Sequence, residues 1–416
     1  MNMRKNKMMK LKPFICGNYL GKFPCANDVC QDIFSDVSQK EVEEYARALL
    51  ADGYTLSEDH TRAGNRFATF TCSDGVLHLT YTAYDKKFRI ISDPLTQFTY
   101  KTEEPDYEKI TDAKFAVMAR DYSVQANRDD GNGLSYVITL EDGRYIIFDG
   151  GYEGCGDDDA LYNYMRANSK RADGKIVIAA WIFTHSHPDH VGAFAEFSRT
   201  YADRITVEYL VANTGTEVMY RPTVHRLFLE EELIEYRNRY YPDAKMLKPH
   251  TGQSLTFSNV SFDVLYTQEI MAPDVMPWEN DSSLVLRMSF CGKTVLFMAD
   301  CQRTSTGIIC QMYGENLKSD VLQVNHHGHS GATTELFDLV APTYALWTTS
   351  CDAFEKRITG EKYQFVSVEG TITNPYIYNM VGREHCLIAD GPIKILTVQN
   401  GEFCIEETDV DFETHI

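Results

Sequence analysis

The sequence predicts an α/β fold that follows a smaller α+β unit, and three observations carry that expectation. From Lys114 onward apolar strands alternate with helical stretches. Before about residue 112 the pattern is one helix followed by short strands. One of the apolar strands, "KIVIAAWIF", runs straight into a dense group of histidines. Strands and helices in alternation imply sheets covered by helices. With 416 residues, 44% of them hydrophobic, the chain has material for about two to three domain-sized units.

Taken in order, the opening "MNMRKNKMMKLKPFICGNYLGKFPC" is basic, but Pro13, Gly17 and Lys22 interrupt it before the apolar core of a leader forms. No apolar run reaches the roughly eighteen residues that a spanning helix requires, so a cytoplasmic chain with no membrane association is expected. Ser38 followed by Glu41 forms a capping box, after which Val42, Tyr45, Ala46 and Leu49 recur at helical spacing until Gly53, which predicts a helix over 39–52. "RFATFTC", "VLHLTYTAY" and "FRIIS", separated by turns at "SDG" and "DKK", read as a meander of strands. The pattern breaks in "PLTQFTYKTEEPDYEKITDAK". Residues 1–112 are therefore expected to form a small α+β unit whose role the sequence does not specify, and 113–416 the main domain. In the latter, "KFAVMAR", "LSYVITL", "YIIFDGG", "VSFDVLY", "SSLVLRMSF", "KTVLFMAD" and "DVLQVN" predict strands, with helices over about 158–169, 224–240 and 304–313.

A formal net charge of −20 disfavours long nucleic acid as a partner, because binding a polyphosphate relies on Lys and Arg displacing counterions. The eleven cysteines are an odd number in a chain too large to depend on disulfides, which suits a reducing compartment. Cys25 and Cys30 lie close together, but no second pair follows at zinc-finger spacing.

"THSHPDH" sets His185, His187, Asp189 and His190 on a tight turn between an apolar strand and a helix, where the backbone can fan four side chains toward one point. Imidazole and carboxylate are ligands that zinc and similar borderline ions prefer. A single histidine there would be an ordinary polar loop residue, but three with an aspartate directly after an apolar strand point to a metal site.

These residues resemble the HxHxDH signature of the metallo-β-lactamase superfamily, and further family-like elements follow in order from Lys114 to the C-terminus. "YIIFDGG" is similar to the family's first motif, a strand ending in Asp149. "VLFMAD" resembles the fourth, ending in Asp300, and "DVLQVNHHGHSG" the fifth. The resemblance implies a four-layered αβ/βα sandwich behind the small N-terminal α+β domain. "WENDSSLVLRMSF" with "HHGHSG" is similar to a branch holding the hydrolase domain of bacterial DNA-uptake channels and the phosphorylcholine esterases. The departure lies in the third motif, where the lactamase and glyoxalase-like branches carry a histidine. His225 and His250 read as ordinary polar residues, which leaves Asn280, Glu279 or water to complete that ligand set.

The resemblance implies two divalent ions, zinc first, with manganese or iron as alternatives. His185 and His187 would hold one, Asp189, His190 and His326 the other, and Asp300 would bridge them. Asp149 would orient a ligating imidazole or pin the loop. Asp189 and His327 are the expected catalytic side chains, with His327 and, more remotely, His329 placed to meet a phosphoryl oxygen or a leaving group. The expected activity is metal-dependent hydrolysis of a small phosphoester, phosphodiesterase-like, by a metal-bound hydroxide. An iron-dependent redox enzyme on the same scaffold, or an acyl hydrolase of the lactamase or thioesterase type, is the alternative. Oligomeric state is left open.

Overall fold

A computed structural model describes residues 12–25, 29–95, 98–118, 133–214, 230–361 and 373–409. The N-terminal unit contains β1 (Asn18–Pro24), β2 (Cys30–Ser35), α1 (Gln39–Ala51), β3 (Thr55–Arg62), β4 (Asn65–Cys72), β5 (Gly75–Thr82) and β6 (Lys87–Asp93). Its strands form one antiparallel sheet in the order β1-β2-β6-β5-β4-β3. Helix α1 starts where the capping box places it: Ser38 N donates to Glu41 Oε2 at 2.8 Å, and the Glu41 amide donates back to Ser38 Oγ. The stripe of Val42, Tyr45, Ala46 and Leu49 packs on Phe34, Phe70, Leu77 and Phe88 of the sheet.

The second sheet takes β7 (Phe98–Thr99), β8 (Lys114–Val117), β9 (Ser135–Thr139), β10 (Tyr145–Asp149), β11 (Ile176–Phe183), β12 (Ile205–Ala212) and β13 (Lys245–Leu247). The third holds β14 (Ser254–Phe257), β15 (Val260–Tyr266), β16 (Val285–Phe290), β17 (Lys293–Phe297), β18 (Val321–Gln323), β19 (Tyr344–Trp347) and β20 (Cys386–Ile388) in sequential order. The chain then returns through β21 (Ile393–Gln399), beside β8, and β22 (Glu402–Thr408) at the edge. The short β7, which precedes residue 113, pairs with β13 of this second sheet.

Period-two alternation divides each strand's side chains between two cores. Ile146 and Phe148 of β10 enter the apolar layer between the two sheets, where they meet Phe262, Leu286 and Phe297 from the other side. Tyr145 and Ile147 point outward against α2 (Asp157–Asn168) and α3 (Pro188–Tyr201), with α4 (Glu230–Tyr240) completing that layer. Beyond the third sheet, Leu296 and Leu322 lie under α5 (Arg303–Tyr313), α6 (Thr334–Val340), α7 (Cys351–Ile358) and α8 (Thr373–Val381). Helix, sheet, sheet, helix is the four-layered αβ/βα sandwich expected from the sequence. The described part of the helix predicted over 224–240 starts at Glu230, and His225 lies outside the described residues. No helix among the described residues is long and apolar enough to cross a membrane.

The N-terminal sheet packs onto the main body with its other face, so every residue of β5 is buried. Polar side chains cross this contact. Arg89 is fully buried and donates to the carbonyls of Ile270 (2.6 Å) and Ala272 (3.2 Å); Asn65 Nδ2 donates to Met312 O (2.6 Å), and Gln31 Nε2 to Glu269 O (3.1 Å). The His78 ring lies 4.2 Å from that of His250, whose Nδ1 donates to Glu269. Gly252, at φ +97°, sits where any Cβ would fall 2.0 Å from the Phe67 ring, so only glycine permits the approach. His250 is thus a buried residue of the contact between the two units, remote in role from the cluster described next.

Candidate metal centre

Strand β11 ends at Phe183, and α3 begins at Pro188, a residue suited to a helix's first position because its missing N–H would have no partner there. The four residues between carry His185 and His187, and the first turn of α3 carries Asp189 and His190. Asp149, at the end of β10 with φ +50°, ties this turn down. Its Oδ1 accepts the Thr184 amide (2.8 Å), and its Oδ2 accepts Thr184 Oγ1 (2.7 Å) and His190 Nδ1 (2.7 Å). With Nδ1 hydrogen-bonded to a carboxylate, His190 turns its Nε2 toward the site, where the facing carboxylates raise its pKa well above an ordinary histidine's and a metal would have to displace the proton. Asp149 therefore both orients an imidazole and pins the loop.

Asp300 follows β17 and occupies the middle. Its Oδ1 lies 3.4 Å from His190 Nε2, and its Oδ2 lies 3.8 Å from His185 Nε2 and 3.4 Å from His327 Nε2. Asp189 Oδ2 is 3.1 Å from His327 Nε2 and 3.8 Å from His190 Nε2. Two compact groups result, Asp189, His190, Asp300 and His327 in one, His185, His187 and Asp300 in the other. Tetrahedral ligands at zinc's bond lengths stand about 3.4 Å apart, in the range seen here. The buried His185 Nε2, His190 Nε2, His327 Nε2 and both Asp300 oxygens have no hydrogen-bond partner, a costly state for polar atoms that two cations would relieve. The residues present therefore fit a pair of ions.

Electrostatics follow from the crowding. Burial alone would raise the Asp300 carboxyl, but His327, His190 and His326 outweigh it and hold it well below the usual range; the same opposition, with His190 and His327 prevailing, lowers Asp189. Burial lowers His185 well below an ordinary histidine, since the neighbouring His190 adds to the effect. Both carboxylates are charged and His185 is neutral at neutral pH, the forms that bind metal.

The fifth motif departs from expectation. His326, expected as a ligand, sits at the edge: its Nε2 is 3.7 Å from Asp300 and 3.2 Å from Asn280 Nδ2, while its Nδ1 meets Ser330 Oγ (2.9 Å) and Gln302 Nε2 (3.0 Å). His327, expected as a catalytic acid, takes the inner place instead. The reason is local: after β18, His326 and His327 both adopt left-handed backbone (φ 49° and 57°), which reverses the chain and turns the second imidazole inward. His327 Nδ1 is hydrogen-bonded to Thr348 Oγ1 (2.7 Å), which turns Nε2 toward the cluster. Of the two candidates for the other group's missing ligand, Asn280 is buried with an unpartnered Oδ1, and Glu279 is half-buried with its charge acting on His187.

Side chains from the C-terminal helices hold this strained turn, and sequence reasoning missed all of them. Arg357, fully buried on α7, donates to the His327 carbonyl (2.5 Å) and to His329 Nε2 (2.9 Å). Asn374 on α8 donates to Gly328 O (2.7 Å) and accepts from Trp347 Nε1. No spacing links these residues to the histidines, so no sequence signal marks them. Burial and the Arg357 charge keep His329 neutral, its pKa lowered to about 2, which suits a structural acceptor rather than a proton donor. Arg357→Met is expected to lower kcat about tenfold with KM little changed, as loss of a residue supporting a ligand does, and Arg357→Lys to recover part of it. Unchanged kcat in both variants would separate Arg357 from the function of the turn.

A sandwich of this layering, with histidines and aspartates gathered at the strand ends, defines the metallo-β-lactamase class of metal-binding domain. Residues 128–300 match the family described as the metallo-β-lactamase superfamily, so the chain carries a domain of that superfamily. The match takes in His185 through Asp300 and stops short of His327 and Arg357. ComE operon protein 3 of Bacillus subtilis (strain 168) is 35% identical over 86 residues, 21% of this chain and only 10% of that protein's length. Among solved structures, CmlA, a diiron β-hydroxylase from Streptomyces venezuelae, is similar at 12% identity and TM-score 0.33 over 56% of this chain and 44% of its own. An archaeal metallo-β-lactamase superfamily protein from Sulfolobus tokodaii gives 10% identity and TM-score 0.30 over 65% and 95%. At such scores neither bears on activity.

Proposed function

We propose that this protein is a dinuclear metal-dependent hydrolase of a small phosphoester, a phosphodiester foremost. The observation that carries the reading is Asp300, whose carboxylate belongs to both ligand groups. Two ions sharing a carboxylate supply a bound water of near-neutral pKa and brace the attacking and leaving oxygens of an in-line displacement. Around them the chain's own residues divide the work. His185 and His187 would hold one ion; Asp189, His190 and His327 would hold the other. Asp189, with its side chain 13% exposed, is the carboxylate that reaches the opening and accepts the hydrogen bond of the attacking water. His326 and Asn280, side by side at the rim, are placed to donate to a phosphoryl oxygen. This exchanges the roles expected of His326 and His327. The net charge of −20 favours a small substrate over a polyanion.

Elemental analysis beside a panel of phosphomonoesters, phosphodiesters, thioesters and lactams tests this reading. About two zinc, manganese or iron ions per chain and a preference for small diesters are expected, with any binding of polynucleotide lost as salt rises. Protein that takes up no zinc, manganese or iron from excess metal, or that when loaded cleaves thioesters or lactams and no phosphoester, would overturn it.

A further inference from the structure

Two of the three tryptophans, Trp181 and Trp347, are fully buried, whereas Trp278 is 65% exposed. Val275, three residues earlier, is 67% exposed, and among the large hydrophobic side chains described only Ile15 stands further into water. A lone exposed apolar side chain is ordinary; two within four residues, in a segment that leads into the metal centre, invite a ligand.

The segment is anchored, so its exposure does not come from a loose loop. Met271 and Met276 are buried together against Ile308. Arg89 reaches across from β6 to the carbonyls of Ile270 and Ala272. At the far end, Asp281 accepts from both Ser305 N and Ser305 Oγ, and its carbonyl accepts from Tyr266 Oη. Between these fixed points the chain runs directly into the metal centre. Asn280, two residues after Trp278 and so within about 7 Å along the backbone, has its amide against His326.

We propose that Trp278, with Val275, forms a platform for a planar ring of the substrate, so that the phosphoester held at the metal centre carries an aryl group or nucleobase on this side. An indole face and an aliphatic side chain give such a ring dispersion and stacking without reading its edge, and they complement a metal centre whose side chains are imidazoles and carboxylates suited to the phosphoryl group. The N-terminal unit acquires a role through Arg89, which supports the rim from beneath. The proposal rests on the phosphoester reading.

The test compares AMP with ribose 5-phosphate, which differ only in the ring, as inhibitors of bis(4-nitrophenyl) phosphate hydrolysis. AMP is expected to inhibit about tenfold more tightly in the unaltered protein, and Trp278→Ala to erase that advantage while leaving metal content unchanged. Quenching of tryptophan fluorescence by AMP and not by ribose 5-phosphate provides a second readout, because Trp278 is the exposed indole. Equal inhibition by both, or an AMP preference that survives Trp278→Ala, would overturn the platform. Protein that hydrolyses no diester and yet shows ring-dependent quenching lost in Trp278→Ala would sink the phosphoester reading and keep the platform.

Discussion

Asp300→Asn is expected to lower the rate of phosphoester hydrolysis by about a thousandfold or more, roughly 4 kcal/mol in the barrier. It is also expected to reduce the occupancy of both ions together. Asp300 is the side chain common to the two ligand groups, and its two oxygens face His190 on one side and His185 and His327 on the other. An amide has nearly the same shape, so the packing around it is kept, but it lacks the charge that holds two cations close to one another. Metal analysis with circular dichroism distinguishes this from unfolding. A variant with native spectrum, two bound ions and near-full activity would show that Asp300 bridges nothing.

The second large effect separates two adjacent histidines. His327→Ala is expected to lose about one equivalent of metal and at least a hundredfold in rate, since it removes an imidazole 3.1 Å from Asp189 and 3.4 Å from Asp300. His326→Ala is expected to keep both ions and to lose about tenfold, because its side chain, a quarter exposed, lies at the rim. Cobalt-substituted protein gives a readout independent of turnover: the absorption of the ion at Asp189 and His190 should change in the first variant and persist in the second. The opposite pattern would restore His326 to the inner position and show that the turn is built differently in solution.

The contrast between those two residues shows where sequence reasoning stops. The cluster in "HSHPDH" is local in geometry: an apolar strand, a tight turn and a proline at the first position of a helix bring four candidate ligands together within six residues of chain. Asp149 and Asp300 were read from the resemblance of "YIIFDGG" and "VLFMAD" to family motifs; Asp149 ends β10 and Asp300 stands three residues beyond β17. The capping box at Ser38 and Glu41 is likewise a contact across one helical turn. The strands and helices of the sandwich follow from periodicities of two and 3.6, which the chain carries in its own order.

What only the tertiary structure decided depends on contacts between distant parts of the chain or on backbone conformations that residue type does not prescribe. The left-handed turn at His326 and His327 is stabilised by Arg357 and Asn374, about thirty and forty-six residues away, and nothing in "NHHGHSG" announces which imidazole it turns inward. The pairing of Phe98 and Thr99 with β13 joins residues almost 150 apart in the chain. The N-terminal unit has no intrinsic marker of its position. Its place against the main body is set by Arg89 meeting Ile270 and Ala272, His78 meeting His250 and Phe67 meeting Gly252, all more than 170 residues further along. Local energies are written in neighbouring residues and can be read in order, whereas long-range contacts form only when the whole chain has closed upon itself and many candidate partners have been excluded at once.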